Sequence, residues 1–188
     1  MATIFAAECR GCDFRQGIVG CSDYAYRPVE PPDVFLWTQF AWCASCREVV
    51  QAEHLLTPVE SEEWIAGSSG RRARLDGEHY RRMMASRQSP AHCLRCGSIE
   101  VAPASADCTE WLTRTLTAIP HPVCGGMISL QRNGLARVPA KTRVYSPEGE
   151  FVTVAEGILL PDAATEQWKH LCRQTTPPSA FPPNASPA

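Results

Sequence analysis

Long apolar runs are missing from this sequence. None approaches the roughly 18 consecutive residues that a membrane-spanning helix requires, and no membrane partner is expected. The opening MATIFAAECRGC lacks the basic start and long apolar core of a secretory signal, so a reducing cytoplasm is the expected compartment. Lysine is scarce, 2 residues against 16 Arg. With a formal charge of -2, the chain has no global pull toward nucleic acid. Familiar catalytic patterns are missing as well. There is no G-x-S-x-G, Walker loop, H-E-x-x-H or dinucleotide fingerprint, and the H-x-E…P-C-x-x-C deaminase signature is absent. The four histidines other than His121 have no evident carboxylate or nucleophile partner with which to form a catalytic constellation. The catalytic set is therefore read as empty, and the chain as a non-enzyme.

Cysteine, by contrast, is abundant: 10 residues, six of them in three C-x-x-C pairs. The pairs are Cys9/Cys12, Cys43/Cys46 and Cys93/Cys96, and HPVCGG adds His121/Cys124 at the same spacing. In a reducing compartment such pairs bind metal or do redox chemistry rather than form disulfides. Two intervening residues let one tight turn aim both side chains at a tetrahedral ion, and imidazole replaces a thiolate without changing coordination number. Gly97 and Gly125 follow the second ligand of their knuckles, where a left-handed residue is favoured; Asp13 and Arg47 occupy that place in the other two. Two zinc ions are thus expected. The shortest loops give Cys9, Cys12, Cys43 and Cys46 as site 1, and Cys93, Cys96, His121 and Cys124 as site 2. Cross-braced joining of alternate knuckles stays open, as do Cys108 or His92 in place of His121. With seven thiolates on two divalent ions the folded chain would carry about -5.

CRGC…CASC and CLRCGS…HPVCGG resemble the two-knuckle pattern of zinc ribbons, the rubredoxin-like arrangement of strands around one structural zinc. That resemblance implies two β modules and says nothing about what they bind. The expected fold is α+β, small and mixed. A first ribbon-like module covers 1–57, a helical and basic connector 58–88, a second module 89–160, a C-terminal helix 161–174 and a disordered tail 175–188. Strands are expected over TIFAAE, FRQGIVG, VFLWTQFAW, SIEVAPA, GMISLQR, ARVPAKTRVY and EFVTVAEGILL, with a hairpin turn at SPEGE. Helices are expected over PVESEEWIA, DGEHYRRMMASR and ADCTEWLTRTLTAI, the last capped by Asp107. CSDYAYRPVEPPD is expected to be irregular. Trp37, Phe40 and Trp42 are core candidates.

DVFLWTQFAWCASCREVV also resembles the active-site turn of thioredoxin-like proteins. On that resemblance Cys43 would be a nucleophile at a helix N-terminus and Cys46 the resolving thiol. Residues 71–88 hold six Arg against two acids, and Arg71, Arg72, Arg74, Arg81, Arg82 and Arg87 form a candidate phosphate-binding or acidic-face patch. The favoured function is a zinc-stabilised binding protein whose partner is another protein, as an adaptor, inhibitor or immunity-type partner. Nucleic-acid binding through the arginines and thiol–disulfide exchange at Cys43/Cys46 are the alternatives.

Overall fold

In the alternating sequence of β1 (Ala2–Cys9), Phe5, Ala7 and Cys9 turn inward while Glu8 faces solvent. The first knuckle reverses the chain into β2 (Arg15–Gly20), closed by the Cys9 N–H donating to the Phe14 carbonyl at 3.1 Å. The computed structural model describes residues 2–20, 23–29, 33–67, 71–104, 115–136 and 141–156. Among them it is mostly β, with two helices.

The other side of β1 pairs with a strand from far along the chain. β9 (Gly126–Ala136) runs antiparallel to it from Ala2↔Ala136 to Cys9↔Ile128, with a bulge at Ile4/Phe5. β8 (Thr115–His121) closes this sheet, whose order is β2-β1-β9-β8. A second sheet is built on the hairpin of β5 (Thr38–Cys43) and β6 (Glu48–Glu53), with β7 (Val101–Pro103) along β5. The two sheets face each other across one core, in which Phe5, Ile18, Phe40, Trp42, Ile128 and Leu130 are all buried. A third sheet, β11-β10-β3-β4, comprises β3 (Asp23–Tyr26), β4 (Val34–Phe35), β10 (Lys141–Tyr145) and β11 (Phe151–Glu156), with β3 and β10 parallel. Its core meets both helices through Tyr26, Trp37, Trp64, Tyr80 and Met83.

The helices are α1 (Pro58–Gly67) and α2 (Arg71–Ser86). Thr57-Pro58-Val59-Glu60 is a capping box. The Glu60 N–H donates to Thr57 Oγ1 at 3.2 Å, and the Thr57 N–H donates to Glu60 Oε2 at 2.7 Å. Burial works to raise the Glu60 carboxyl's pKa, but the Thr57 N–H and hydroxyl, with His54 behind them, hold it below its usual value. A depressed folded-state pKa contributes stability above the unfolded value and loses it as pH falls through the folded one. Thr57→Ala is expected to cost about 1 kcal/mol and to flatten that acid-side dependence, read from thermal melts between pH 3 and 6.

Several expectations change. Residues 1–57 and 89–160 do not form separate sheets: β1 and β2 share one with β8 and β9, and β7 joins β5 and β6. The end of the helix expected over ADCTEWLTRTLTAI is strand from Thr115 onward, where Thr115, Thr117 and Ile119 are β-branched; its earlier part lies outside the described residues. The segment 21–33 contains β3, because Tyr24, Ala25 and Tyr26 are buried and outweigh the prolines that follow. VFLWTQFAW is two strands, β4 and β5, belonging to different sheets. α2 begins at Arg71, five residues before the expected start. The SPEGE turn is as expected, with the Ser146 N–H donating to the Glu150 carbonyl at 2.8 Å. The expected C-terminal helix 161–174 and tail 175–188 lie outside the described residues.

Candidate metal centres

Pairing β1 with β9 carries the first knuckle to the last, and pairing β5 with β7 carries the second to the third. The eight expected ligands therefore gather into two tetrads: Cys9, Cys12, His121 and Cys124, and Cys43, Cys46, Cys93 and Cys96. This corrects the sequential assignment, and the cross-braced alternative with it. The knuckles are nested, outer with outer and inner with inner. Sequential joining would save only on the order of 1 kcal/mol of loop-closure entropy, since each doubling of loop length costs about 0.6 kcal/mol. The β1–β9 ladder and the core beneath it outweigh that saving.

Both tetrads fit a tetrahedral ion. Zinc with Zn–S bonds of about 2.3 Å places sulfurs roughly 3.8 Å apart. Cys43 and Cys96 Sγ are 3.7 Å apart, Cys46 and Cys93 Sγ 3.9 Å, and Cys9 and Cys124 Sγ 3.5 Å. In the mixed tetrad the donor is His121 Nδ1, 3.2 Å from Cys124 Sγ and 3.5 Å from Cys12 Sγ. All four donor atoms of each group lie within 4.8 Å of one another. Soft sulfur and imidazole donors in this geometry suit zinc, and each group is compatible with a zinc-ribbon-like site.

Backbone N–H groups point at the sulfurs: Gly11 at Cys9 (3.3 Å), Cys46 at Cys43 (3.4 Å) and Arg95 at Cys93 (3.4 Å). Burial works against ionisation of Cys9, yet the Gly11 N–H and the adjoining Cys124, His121 and Cys12 side chains bring its pKa down to about 6. In the four-cysteine group, burial pushes the Cys93 thiol up to about 11 against N–H bonds from Cys96 and Arg95, and the Cys96 and Cys43 sulfurs push the same way. Cys46 is raised further, by burial and then by the same two neighbours. Without a cation, crowded thiolates repel one another; a divalent ion removes that obstacle.

Arg47 takes the left-handed conformation (φ 54°) that Gly97 and Gly125 occupy in their own knuckles (φ 76° and 70°). At the mixed site, Gly11 and Gly126 pass so closely that a Cβ on Gly126 would lie 3.0 Å from Cys9 Sγ. Buried Trp42 and half-buried Phe14 flank the His121 ring at 4.6 and 5.0 Å between centroids. Trp37, Phe40 and Trp42 are all buried, as expected.

His92 is not a ligand. Its Nδ1 lies 3.1 Å from Glu53 Oε2, in a buried polar network that sequence reasoning missed. Arg87 grips Glu53 with two nitrogens, at 2.6 and 3.0 Å, and Tyr26 donates to the same carboxylate at 2.8 Å. The Arg87 and Glu53 side chains are 3% and 0% exposed. Arg87 therefore leaves the arginine patch. Arg74, Arg81 and Arg82 remain exposed on α2, which also carries Arg71 and Arg72 in its first turn. Cys43 ends a strand and the chain turns back into β6, so the helix N-terminus required by the thioredoxin-like reading is not there. Cys21, Cys108 and Cys172 lie outside the described residues.

Compared with known proteins, the chain matches no family model, no curated protein and no solved structure. Among the described residues no helix is long and apolar enough to cross a membrane.

Proposed function

We propose that this chain is a non-catalytic binding protein, held in shape by two zinc ions, whose partner is another protein. One observation carries the reading: each tetrad supplies four side-chain donors at tetrahedral spacing, and each ties together strands remote in sequence. Four protein ligands leave no open position for water or substrate, which is the arrangement of structural rather than catalytic zinc. The ions would serve as cross-links for small sheets that bury limited apolar surface.

A protein partner is favoured over nucleic acid because the arginine patch is thin. Arg87 is committed to Glu53, and Glu78 sits on α2 four residues from Arg74 and from Arg82, the helical spacing at which a carboxylate offsets neighbouring positive charge. Elemental analysis of untagged protein should give two zinc per chain. Affinity capture from source cells should recover a protein that persists through nuclease treatment and high salt. Recovery of nucleic acid instead, lost when Arg74, Arg81 and Arg82 are replaced by Ala, would establish the arginine-patch alternative.

A further inference from the structure

Between two sheet edges lies a cleft of about 520 Å³. One wall is Gln16–Val19 of β2 and the other Glu48–Gln51 of β6, with Leu94, Arg95 and Arg143 completing it. Both β2 and β6 are end strands of their sheets. We propose that this cleft receives an extended segment of a partner protein, with alternating apolar and acidic residues, that adds as a strand to the free edge of β2. The proposal rests on the protein-binding reading above and names its surface.

The two edges are not equivalent. On β6 the Gln16 side chain acts as a one-residue strand: its Nε2 donates to the Val49 carbonyl at 3.0 Å, and the Val49 N–H donates to its Oε1 at 2.8 Å. Farther along, the Leu94 N–H donates to the Gln51 carbonyl and the Glu53 N–H to the His92 carbonyl. That edge is covered. β2 pairs only with β1 among the described residues. Since Cys9 and Phe14 form a hydrogen-bonded pair, the antiparallel alternation turns the N–H and C=O of Arg15, Gly17 and Val19 outward. A free edge of this kind recruits an extended peptide. Val19, 46% exposed, offers apolar surface beside the buried Val50. Arg143 and Arg95 bring two positive charges against the single Glu48 carboxylate, which pairs with Arg95. In a chain of net charge -2, that local excess selects an acidic segment.

The test uses the full zinc-loaded chain and a capped seven-residue peptide of alternating Val and Glu, with titration followed by calorimetry. Saturable binding is expected, weakened at least tenfold by Gly17→Pro, which removes an outward N–H from an edge strand. A Cβ at Gly17 meets nothing within 4 Å, so Gly17→Phe, which sets a bulky ring against the β2 edge, serves if the proline variant misfolds. Arg143→Gln should weaken the Val–Glu peptide but not a Val–Gln one. N-methylation of alternate peptide nitrogens should weaken binding at least tenfold when it falls on the edge that meets β2. No binding of the Val–Glu peptide, equal binding to the Gly17 variants, or equal binding by both alternately N-methylated peptides overturns the proposal. Zinc content measured alongside distinguishes the two failures: two zinc per chain without peptide binding leaves the zinc-stabilised binding protein standing.

Discussion

Stripping both metals with a strong chelator is expected to unfold the protein, not merely to loosen it. Apparent binding free energy for a structural zinc is on the order of 10 kcal/mol or more, as large as the whole net stability of an ordinary domain, about 5–15 kcal/mol. The near-ultraviolet circular dichroism of buried Trp42, beside His121, should collapse on chelation and return with added zinc. Acid should do the same, since ligands must lose protons to bind metal. In a metal-free chain that stays folded the thiols pull both ways: Cys9, lowered to about 6, contributes stability that is lost as pH falls from 9 to 6. Cys93 instead titrates at about 11, above its ordinary 9.0. Below both values it is a thiol in either state. As pH rises from 9 to 11 only the unfolded chain ionises, and folded-state stability is lost across that window. A metal-free protein with unchanged near-ultraviolet signal and melting temperature would show that the ions do not shape the fold.

The second large effect lies away from the ligands. Replacing Glu53 or Arg87 with Ala is expected to cost roughly 3–5 kcal/mol, because the surviving charge is left buried and unpaired. The site joins β6, β3 and the end of α2 to the third knuckle, since Glu53 accepts from Tyr26, Arg87 and the His92 N–H. Gly149 closes it from the β10–β11 turn. Its φ is 89°, and an added Cβ would lie 2.3 Å from His92 Nδ1 and 2.8 Å from Arg87 Nη2. Gly149→Ala should therefore be damaging too, through backbone strain and displacement of the network together. Urea unfolding of the zinc-loaded variants measures both. A change below about 1 kcal/mol, the range of an exposed ion pair, would mean that the network carries no structural weight.

The ligands were legible because metal chemistry writes its spacing into the chain: C-x-x-C and H-x-x-C are local signals, and all eight residues meet at tetrads. Their pairing was not legible, because it depends on which strands pair. Nothing in TIFAAE or GMISLQR says that β1 lies against β9 over a sequence separation above 100 residues, as Cys9 and Cys124 do at 115. Closure entropy favours near neighbours too weakly to decide the matter. Gly11 and Gly126 held a usable hint, since two glycines beside ligands suit two backbones in close approach. The buried network was hidden for a similar reason. Glu53, Arg87 and His92 are ordinary polar residues until β6, α2 and the third knuckle converge. Strands were read well where side chains alternate, as at Phe5, Ala7 and Cys9, and poorly where β-branched residues near Thr115 also fitted a helical period.

Cadmium-113 NMR of the fully substituted protein tests the nested pairing most directly, because through-bond correlations join each metal to the β-protons of its own cysteines. Two resonances are expected, one correlated with Cys43, Cys46, Cys93 and Cys96, the other with Cys9, Cys12 and Cys124 and with the His121 ring. A single bound ion, or one resonance shared by Cys12 and Cys43, would contradict it.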